Sequence, residues 1–344
     1  MSSQRERFDP PVERCRFRTD ARITRDALLG TLRARSGWTA MRVESVLAHA
    51  ALFLADHPYD ASTLPEWIAA GVRVDAHAFV REPEPIGIGR ERILAETDAW
   101  LAADKPAFMT TQRSRASTRL DLETALRSLT GCSSLSAVHR LDRETSGVVL
   151  LAKTREAAAA LGRAFEEGRI AKRYLAVVSP PPVKTEWQVR GFIGRVADPE
   201  RFRFGLRSEP APGFRESHSR FAVIATGGDR ASVVCQPLSG RTHQLRVHLA
   251  AGGAPIAGDA LYGGCPGDRT LLHAAELRVT AGGEEIVLSA PIPPDLGSLA
   301  GALEDVEAHA RIRWTDSGNR GGPTILGERR APDAGERIPD AQLQ

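Results

Sequence analysis

The sequence predicts an α+β protein with much antiparallel strand pairing and a smaller α/β unit at its N-terminus. Apolar and β-branched residues mark three strands: AKRYLAVV (171–178), SRFAVI (219–224) and ASVVCQ (231–236). In ELRVTAGGEEIVL (276–288), the central Gly282-Gly283 pair predicts the turn of a hairpin. Strands and helices do not alternate in the regular order that is typical of a parallel sheet. We therefore expect mainly antiparallel pairing.

Two helices of the main region are indicated by apolar residues at three- and four-residue spacing. Residues 154–168 begin at a Thr154 cap, continue through an alanine-rich body and end at Gly168. Residues 120–129 place three leucines and an alanine on one face. Both segments are long enough to pack one apolar face against a sheet.

The N-terminal region has a pattern of its own. Residues 24–35 and 43–54 have helical spacing, and residues 64–80 predict a short helix, a stop at Gly71 and then a strand. Residues 1–22 are polar and rich in arginine, and the C-terminal stretch has few apolar anchors. The predicted organisation is a disordered arm (1–22), an accessory domain (23–92), a main domain (93–312) and a disordered tail (313–344).

Composition excludes several classes of protein. Of the 344 residues, 42% are hydrophobic and 26% charged, which is ordinary for a folded globular chain. No apolar run approaches the roughly 20 residues of a membrane span, and MSSQRERFDP lacks the apolar core of a secretion signal. We therefore expect a cytoplasmic protein that does not associate with membranes. The four cysteines form no close pair, so no zinc or redox site is expected.

The densest polar block is HRLDRETSG (139–147), which stands directly before the apolar run VVLLA. Polar residues ahead of a buried strand often lie at the mouth of a cleft. Asp142 is flanked by Arg140 and Arg143, and neighbouring guanidinium groups keep a carboxylate ionised, as a nucleophile must be. Taken alone, such a block is more often a surface ion-pair cluster ahead of a core strand.

A second block covers residues 238–264. Its histidines, His243 and His248, are five residues apart, a spacing that does not place both rings on one helix face for a metal. Arg241 and Arg246 could bind phosphates or pair with a carboxylate elsewhere. In the strand at 171–178, Tyr174 is either a core aromatic or a platform on which a nucleobase stacks.

Six motifs of this sequence together resemble those of the RluA-type pseudouridine synthase family. They are DKPA (104–107), HRLDRETSG (139–147), KRY (172–174), GRTHQLRVH (240–248), PIAGDALYG (255–263) and LHA (272–274). All six occur in family order over about residues 93–295, and six ordered matches are far more specific than one.

The resemblance implies a central, mainly antiparallel mixed sheet, flanked by helices, around an RNA-binding cleft. It implies that Asp142 breaks the glycosidic bond of a target uridine, as a nucleophile or by electrostatic support, and that Arg241 pairs with it. Tyr174 would stack on the uracil and help to move a proton. Arg140 would enter the RNA stack where the uridine is flipped out.

RNA-facing roles are further expected for Lys105, Lys172, His243 and Arg246. The implied function is isomerisation of uridine to pseudouridine in structured RNA, with ribosomal RNA favoured slightly over transfer RNA. No cofactor and no metal are expected, and we expect a monomer.

This sequence departs from the family pattern at a few positions. Phe108 follows Lys-Pro-Ala where the family usually has glycine, which predicts a differently shaped loop. Ser239 stands where threonine commonly precedes Gly-Arg. Residues 67–80 resemble only faintly the small RNA-binding module that often precedes this catalytic domain, so a purely structural appendage is an open alternative.

Two alternative functions follow from the same residues. A non-catalytic RNA-binding protein could keep the fold, although binding anionic RNA requires no carboxylate in the cleft. A metal-dependent hydrolase could use His139, Asp142, His243 and Asp259 as ligands, although their spacing gives little support.

Overall fold

The computed structural model describes residues 12–79, 87–197, 203–281 and 284–297. The N-terminal unit consists of β1 (Val12–Arg18), β2 (Ile23–Thr24), α1 (Arg25–Ser36), α2 (Ala40–Ala48), β3 (Leu52–Leu54), β4 (His57–Tyr59), β5 (Trp67–Ile68) and β6 (Arg73–Phe79). Strands β1, β6, β3 and β4 form one antiparallel sheet in that order, and β2 pairs with β5. The helices bury Leu28, Leu32 and Val46 against the sheet.

Two predictions for this region are wrong. Residues 12–18 belong to the arm expected to be disordered, yet they form β1 and pair with β6 along its whole length. The short helix expected within residues 64–80 is instead the strand β5, because Trp67 and Ile68 pair with β2. The strand predicted after Gly71 is confirmed as β6, and the helix over 24–35 as α1. The second helix ends at Ala48, because the chain turns into β3.

The main region contains β7 (Ile93–Glu96), β8 (Trp100–Lys105), α3 (Leu122–Thr130), β9 (Ser136–Ala137), β10 (Ser146–Ala152), α4 (Arg155–Glu166), β11 (Ala171–Val178), β12 (Glu186–Val196), β13 (Arg203–Arg207), β14 (Phe214–Gly227), β15 (Arg230–Pro237), α5 (Gln244–Ala251), β16 (Leu272–Ala281), β17 (Glu284–Ser289) and α6 (Pro294–Gly297). A single 3-10 turn, Arg90–Arg92, precedes β7.

One 11-stranded sheet organises this region, with the order β13-β12-β14-β15-β11-β16-β10-β8-β7; β17 pairs with β16 and β9 with β10. Only the β10–β16 contact is parallel among the strand pairs that the structure describes, so the prediction of a mainly antiparallel α+β fold is confirmed. The predicted hairpin corresponds to β16 and β17, while its Gly282-Gly283 turn lies outside the described residues.

The parallel pairing of β10 with β16 fixes the position of the loop that precedes β10. Gly147 pairs with Ala274 of β16 at a φ of 114°, a conformation that L-residues other than glycine rarely adopt. A Cβ atom there would lie 2.2 Å from the Ala274 carbonyl oxygen. Glycine is therefore required for the two strands to approach at this point.

Helix boundaries in this region follow local capping chemistry. The Thr154 side chain accepts a hydrogen bond from Ala157 N, and the Asp121 side chain accepts one from Thr124 N. The helices predicted over 154–168 and 120–129 are thus confirmed as α4 and α3. None of the helices in the described ranges combines the length and the apolar character that a membrane crossing needs. The predicted C-terminal tail lies outside the described residues.

Candidate active site

The predicted catalytic residue lies in a tight turn between β9 and β10. Asp142 accepts a hydrogen bond at its carbonyl from Thr145 N at 3.1 Å, which closes the turn. The Asp142 side chain is 24% exposed, whereas Thr145 is only 2% exposed. The carboxylate therefore faces an opening while the turn that holds it is buried.

Lys105 supports this turn from inside the protein. Its ammonium is fully buried and donates hydrogen bonds to the carbonyl oxygens of Pro106, Met109 and Arg143 at 2.9, 2.8 and 3.2 Å. Burial, together with the charge of Arg143, lowers the pKa of Lys105 well below its usual range. The expectation that Lys105 faces RNA is wrong, because its three donors are directed at the backbone of the site.

A second buried cation and a buried acid hold the other side of the turn. Arg269 Nη1 donates to the Glu144 carbonyl oxygen at 3.0 Å. The Glu144 carboxylate in turn accepts bonds from the backbone N and the hydroxyl of Thr270, both at 2.8 Å. The backbone of the turn is thus fixed from two directions.

Arg246 is the arginine that contacts the Asp142 carboxylate. Its Nη1 lies 3.2 Å from Asp142 Oδ2, and its Nε and Nη2 donate to the two oxygens of Asp259 at 2.7 and 2.9 Å. Asp259 is 1% exposed and also accepts bonds from Leu261 N and Tyr262 N. The bidentate pair fixes the plane of the guanidinium, so that the remaining nitrogen is aimed at Asp142.

The expectation that Arg241 pairs with Asp142 is therefore wrong. Arg241 lies in the loop before α5 and donates from Nε to the Glu216 carbonyl oxygen at 2.8 Å. Arg246 lies on α5 itself and is 5% exposed, so its expected role in contacting RNA is corrected as well. The motif GRTHQLR contains both arginines. Because α5 begins at Gln244, Arg241 lies in the loop before the helix, whereas Arg246 lies on the helix and points inward.

His243 joins the same cluster at the N-terminus of α5. Its Nε2 lies 4.0 Å from Asp142 Oδ2, and its Nδ1 lies 2.7 Å from the Tyr262 hydroxyl. The Tyr262 hydroxyl also accepts a bond from Phe204 N at 3.1 Å, so it links His243 to β13. His243 is 6% exposed, so it is a buried neighbour of the carboxylate rather than an open RNA contact.

Tyr174 lies on β11 between two parts of the core, and an irregularity in the pairing with β16 occurs at this residue. Burial raises the pKa of its hydroxyl well above the usual range, and the negative charge of Asp142 raises it further. The hydroxyl therefore stays protonated close to the carboxylate. The expected role of Tyr174 at the target base stays a prediction.

The two arginines flanking Asp142 have different surroundings. Arg140 is exposed, and no hydrogen bond or ion pair within the described part of the chain engages its guanidinium. Arg143 is 4% exposed and lies over the ring of Phe79. The cation hydrogen-bonded to Asp142 is Arg246. That Arg140 and Arg143 favour the charged form of Asp142 stays a prediction.

Lys172 is half-buried near Arg241. Its ammonium donates to the Ser239 carbonyl oxygen at 3.3 Å. Burial and the charge of Arg241 lower the pKa of Lys172 to about 8. Lys172 and Arg241 together make this side of the site positive.

The alternative metal site is not assembled in the structure. Across the described residues, no three His, Cys, Asp or Glu side chains are grouped so that they could hold a metal ion. His139 accepts a hydrogen bond from Leu150 N at Nε2 and packs on Phe165. Burial lowers the pKa of His139 to about 3, so this histidine is a neutral structural residue.

Sequence reasoning missed two residues of the cluster. Asp259 was considered only as a metal ligand, and Tyr262 was given no role, although both belong to the motif PIAGDALYG. A buried carboxylate near a motif arginine could have suggested an ion pair, but sequence spacing does not show which arginine is its partner.

Three comparisons identify the protein class. The RNA pseudouridylate synthase family profile matches residues 99–251. An uncharacterized RNA pseudouridine synthase of Zymomonas mobilis is 34% identical over 219 residues, which cover 60% of this chain and 97% of that protein. Ribosomal large subunit pseudouridine synthase C of Pasteurella multocida is 32% identical, over 62% of this chain and 68% of that protein.

A solved structure agrees with these sequence matches. The human RNA pseudouridylate synthase domain containing 1 superposes with a TM-score of 0.50 at 30% identity, covering 60% of this chain and 85% of that one. The family profile and these relatives support an isomerase activity, the formation of pseudouridine. The chain belongs to the RNA pseudouridylate synthase family, and within it to the RluA type.

Proposed function

We propose that this protein isomerises specific uridines of ribosomal RNA to pseudouridine, with Asp142 as the catalytic carboxylate. The observation that supports the assignment is the placement of Asp142. Its carboxylate is partly exposed in a rigid buried turn, and it accepts a hydrogen bond from an arginine whose direction is fixed by a second carboxylate. Such pre-oriented charge is what stabilisation of a developing cation requires.

The reaction breaks the bond between N1 of uracil and the anomeric carbon of the ribose. The electron pair of that bond leaves with the uracil, and the carboxylate of Asp142 either adds to the anomeric carbon or stabilises its positive charge. The uracil then turns over, and its carbon 5 bonds to the anomeric carbon while any bond to Asp142 breaks. The proton on carbon 5 is released, and N1 takes up one proton. Uridine and pseudouridine are isomers, so the atoms balance without a co-reactant.

The neighbouring groups have distinct tasks in this scheme. Arg246 holds the Asp142 carboxylate in one orientation, and His243 adds a second polar group on the same oxygen. We assign to Tyr174 the stacking on the uracil and, because its hydroxyl stays protonated, a relay of the proton released from carbon 5. Arg140, being exposed, is available to enter the RNA stack at the position of the flipped uridine.

Ribosomal RNA is the favoured substrate class over transfer RNA. Relatives from Pasteurella multocida and Xanthomonas campestris have names that assign them to the large ribosomal subunit. Lys172 and Arg241 supply positive charge next to the site for the RNA backbone. Mapping pseudouridines across cellular RNA with and without the gene tests this assignment. Loss of a site in transfer RNA alone would refute it.

The substitution Asp142→Asn tests the catalytic assignment, because asparagine keeps the shape of the side chain and removes its charge. We expect RNA binding within a few-fold of the parent and pseudouridine formation lowered at least about a thousandfold. The assay is tritium release from uridine labelled at carbon 5. Asp229→Asn, in the exposed turn between β14 and β15, is the matched control and should retain full activity. Substantial tritium release by Asp142→Asn would reject the assignment.

A further inference from the structure

Arg143, the residue after Asp142, connects the N-terminal unit to the turn of residues 142–145, called the catalytic turn below. The guanidinium carbon of Arg143 lies 3.8 Å from the centroid of the Phe79 ring, and both side chains are 4% exposed. Phe79 is the last residue of β6, whose preceding residues form the centre of the N-terminal sheet. A planar cation held this closely over a buried ring is restrained by packing as well as by cation–π attraction.

A second aromatic ring contacts the same guanidinium. Phe108 lies 5.5 Å from it and has a φ of 66°, in the left-handed region. A residue other than glycine is strained in this conformation, which accounts for the glycine expected here from the family pattern. In this chain the strained position supplies a ring against Arg143, so the Phe79–Arg143–Phe108 stack encloses the side chain that follows Asp142.

The stack lies within an interface that is fixed by specific contacts. Thr118 N donates to the His49 carbonyl oxygen at 2.9 Å, and Ser117 Oγ lies 2.8 Å from His49 Nδ1. Ala116 packs with Val12 and Phe79 in one apolar cluster. Phe79 is therefore held against the segment around residues 116–118 by contacts that do not involve Arg143.

We propose that Phe79 and Arg143 are positioning residues, through which the N-terminal unit holds the Asp142 carboxylate in its reactive orientation. Lys105 holds the Arg143 carbonyl and Phe79 holds the Arg143 side chain, so the backbone torsions of the residue next to Asp142 are fixed at both ends. Small displacements of a reacting group lower rates strongly. The inference rests on the proposed function, and it gives the N-terminal unit a task in the chemical step besides any contact with RNA.

The test compares Phe79→Leu with Phe53→Leu in the full-length protein. Phe53 is also buried in the N-terminal sheet, with Arg115 over its ring at 5.2 Å, but it does not contact the catalytic turn. We expect Phe79→Leu to lower kcat on the order of tenfold with KM within about twofold, and Phe79→Tyr to restore most of the rate. Phe53→Leu should lower the melting temperature comparably and leave kcat unchanged. Equal kcat values for the two leucine variants would overturn the proposal.

A second measurement does not depend on activity. Hydrogen exchange of the peptide covering residues 139–147 should accelerate in Phe79→Leu and stay at the parental rate in Phe53→Leu. If the parent proves inactive on RNA, the proposed function fails, but the exchange rates still decide whether Phe79 restrains the turn. If Phe79→Leu does not fold, the stack is tested by changing its cation instead. Arg143→Lys is then compared with Arg115→Lys, the control at the arginine that lies over Phe53. Unchanged exchange and unchanged kcat in Arg143→Lys would refute the positioning role.

Discussion

Arg246 Nη1 and Asp142 Oδ2 lie 3.2 Å apart although the residues are separated by 104 positions. The same guanidinium is bound in two-point fashion by Asp259, which is almost fully buried. One cation thus binds two carboxylates, the buried Asp259 and the partly exposed Asp142. Because Asp259 accepts bonds from Nε and Nη2 of Arg246, the direction of the remaining donor, Nη1, is fixed by the protein itself.

The first prediction contrasts the two arginines of the GRTHQLR motif. Arg246→Lys should lower kcat at least about a hundredfold, because an ammonium cannot make the bidentate pair with Asp259 and also reach Asp142 in a fixed plane. Arg241→Lys keeps a cation beside the Glu216 carbonyl and should leave kcat within a few-fold. Single-turnover rates at saturating RNA measure both, with thermal unfolding as a check on folding. Larger losses for Arg241→Lys would show that the pairing is assigned to the wrong residue.

These two arginines also show how far the sequence alone could predict the site. The motifs place Asp142, Tyr174 and the helix with Arg246 in one domain, and the alternation of apolar residues predicts the central strands correctly. Which arginine reaches Asp142 depends on where α5 begins, and helix starts are not defined to one residue by sequence patterns. The sequence also did not reveal that Lys105 is buried, because a lysine in a loop motif is ordinarily exposed.

The N-terminal errors have a similar physical origin. β1 has an arginine-rich sequence typical of a solvated segment, but the buried Asp75 of β6 pairs with Arg14 and Arg16 and makes a strand possible there. Trp67 and Ile68 follow a pattern compatible with a helix, yet pairing with β2 determines their conformation. In both cases a contact between distant segments outweighs local preference.

Gly147 supports a prediction about stability. Gly147→Ala places a Cβ atom 2.2 Å from a carbonyl oxygen at a φ of 114°, so β10 and β16 must separate. We expect the free energy of unfolding to fall by about 3 kcal/mol or more. Gly162→Ala in α4 is the matched control, because its new methyl group meets no atom within 4 Å and alanine favours the helix. Urea unfolding compares them, and equal stabilities of the two variants would show that the close strand approach is not required.

Buried neutral histidines predict a loss of stability in acid. The pKa of His139 is about 3 in the folded protein, against about 6.5 when unfolded, so the unfolded chain binds one more proton between these values. Its stabilising contribution is complete above pH 6.5 and decreases as the pH falls toward 3, by at most about 1.4 kcal/mol per pH unit. His139→Gln can still accept the bond from Leu150 N but does not titrate. Between pH 5 and 6, the variant should take up about one proton fewer on unfolding; identical slopes for both proteins would contradict the assignment of a neutral His139.

The final prediction concerns the pH dependence of RNA binding through Lys172. Its pKa of about 8 means that the ammonium is largely charged at pH 7 and largely neutral at pH 9. Among the described residues, the charge that acts on the pKa of Lys172 is that of Arg241, and the neighbouring His139 stays neutral in this range. If Lys172 contacts a phosphate, raising the pH from 7 to 9 should weaken RNA binding about fivefold. The number of ions released on binding, obtained from the slope of log K against log salt concentration, should fall by nearly one.

Binding is best measured with Asp142→Asn as the background, so that no turnover occurs during the titration. Adding Lys172→Arg keeps the charge at both pH values and should give a flat profile with tight binding. Adding Lys172→Met should give an equally flat profile with weak binding, matching the pH 9 value of the lysine protein. A pH dependence that persists in the arginine variant would assign the titration to another group, and the positive side of the site would then consist of Arg241 without Lys172.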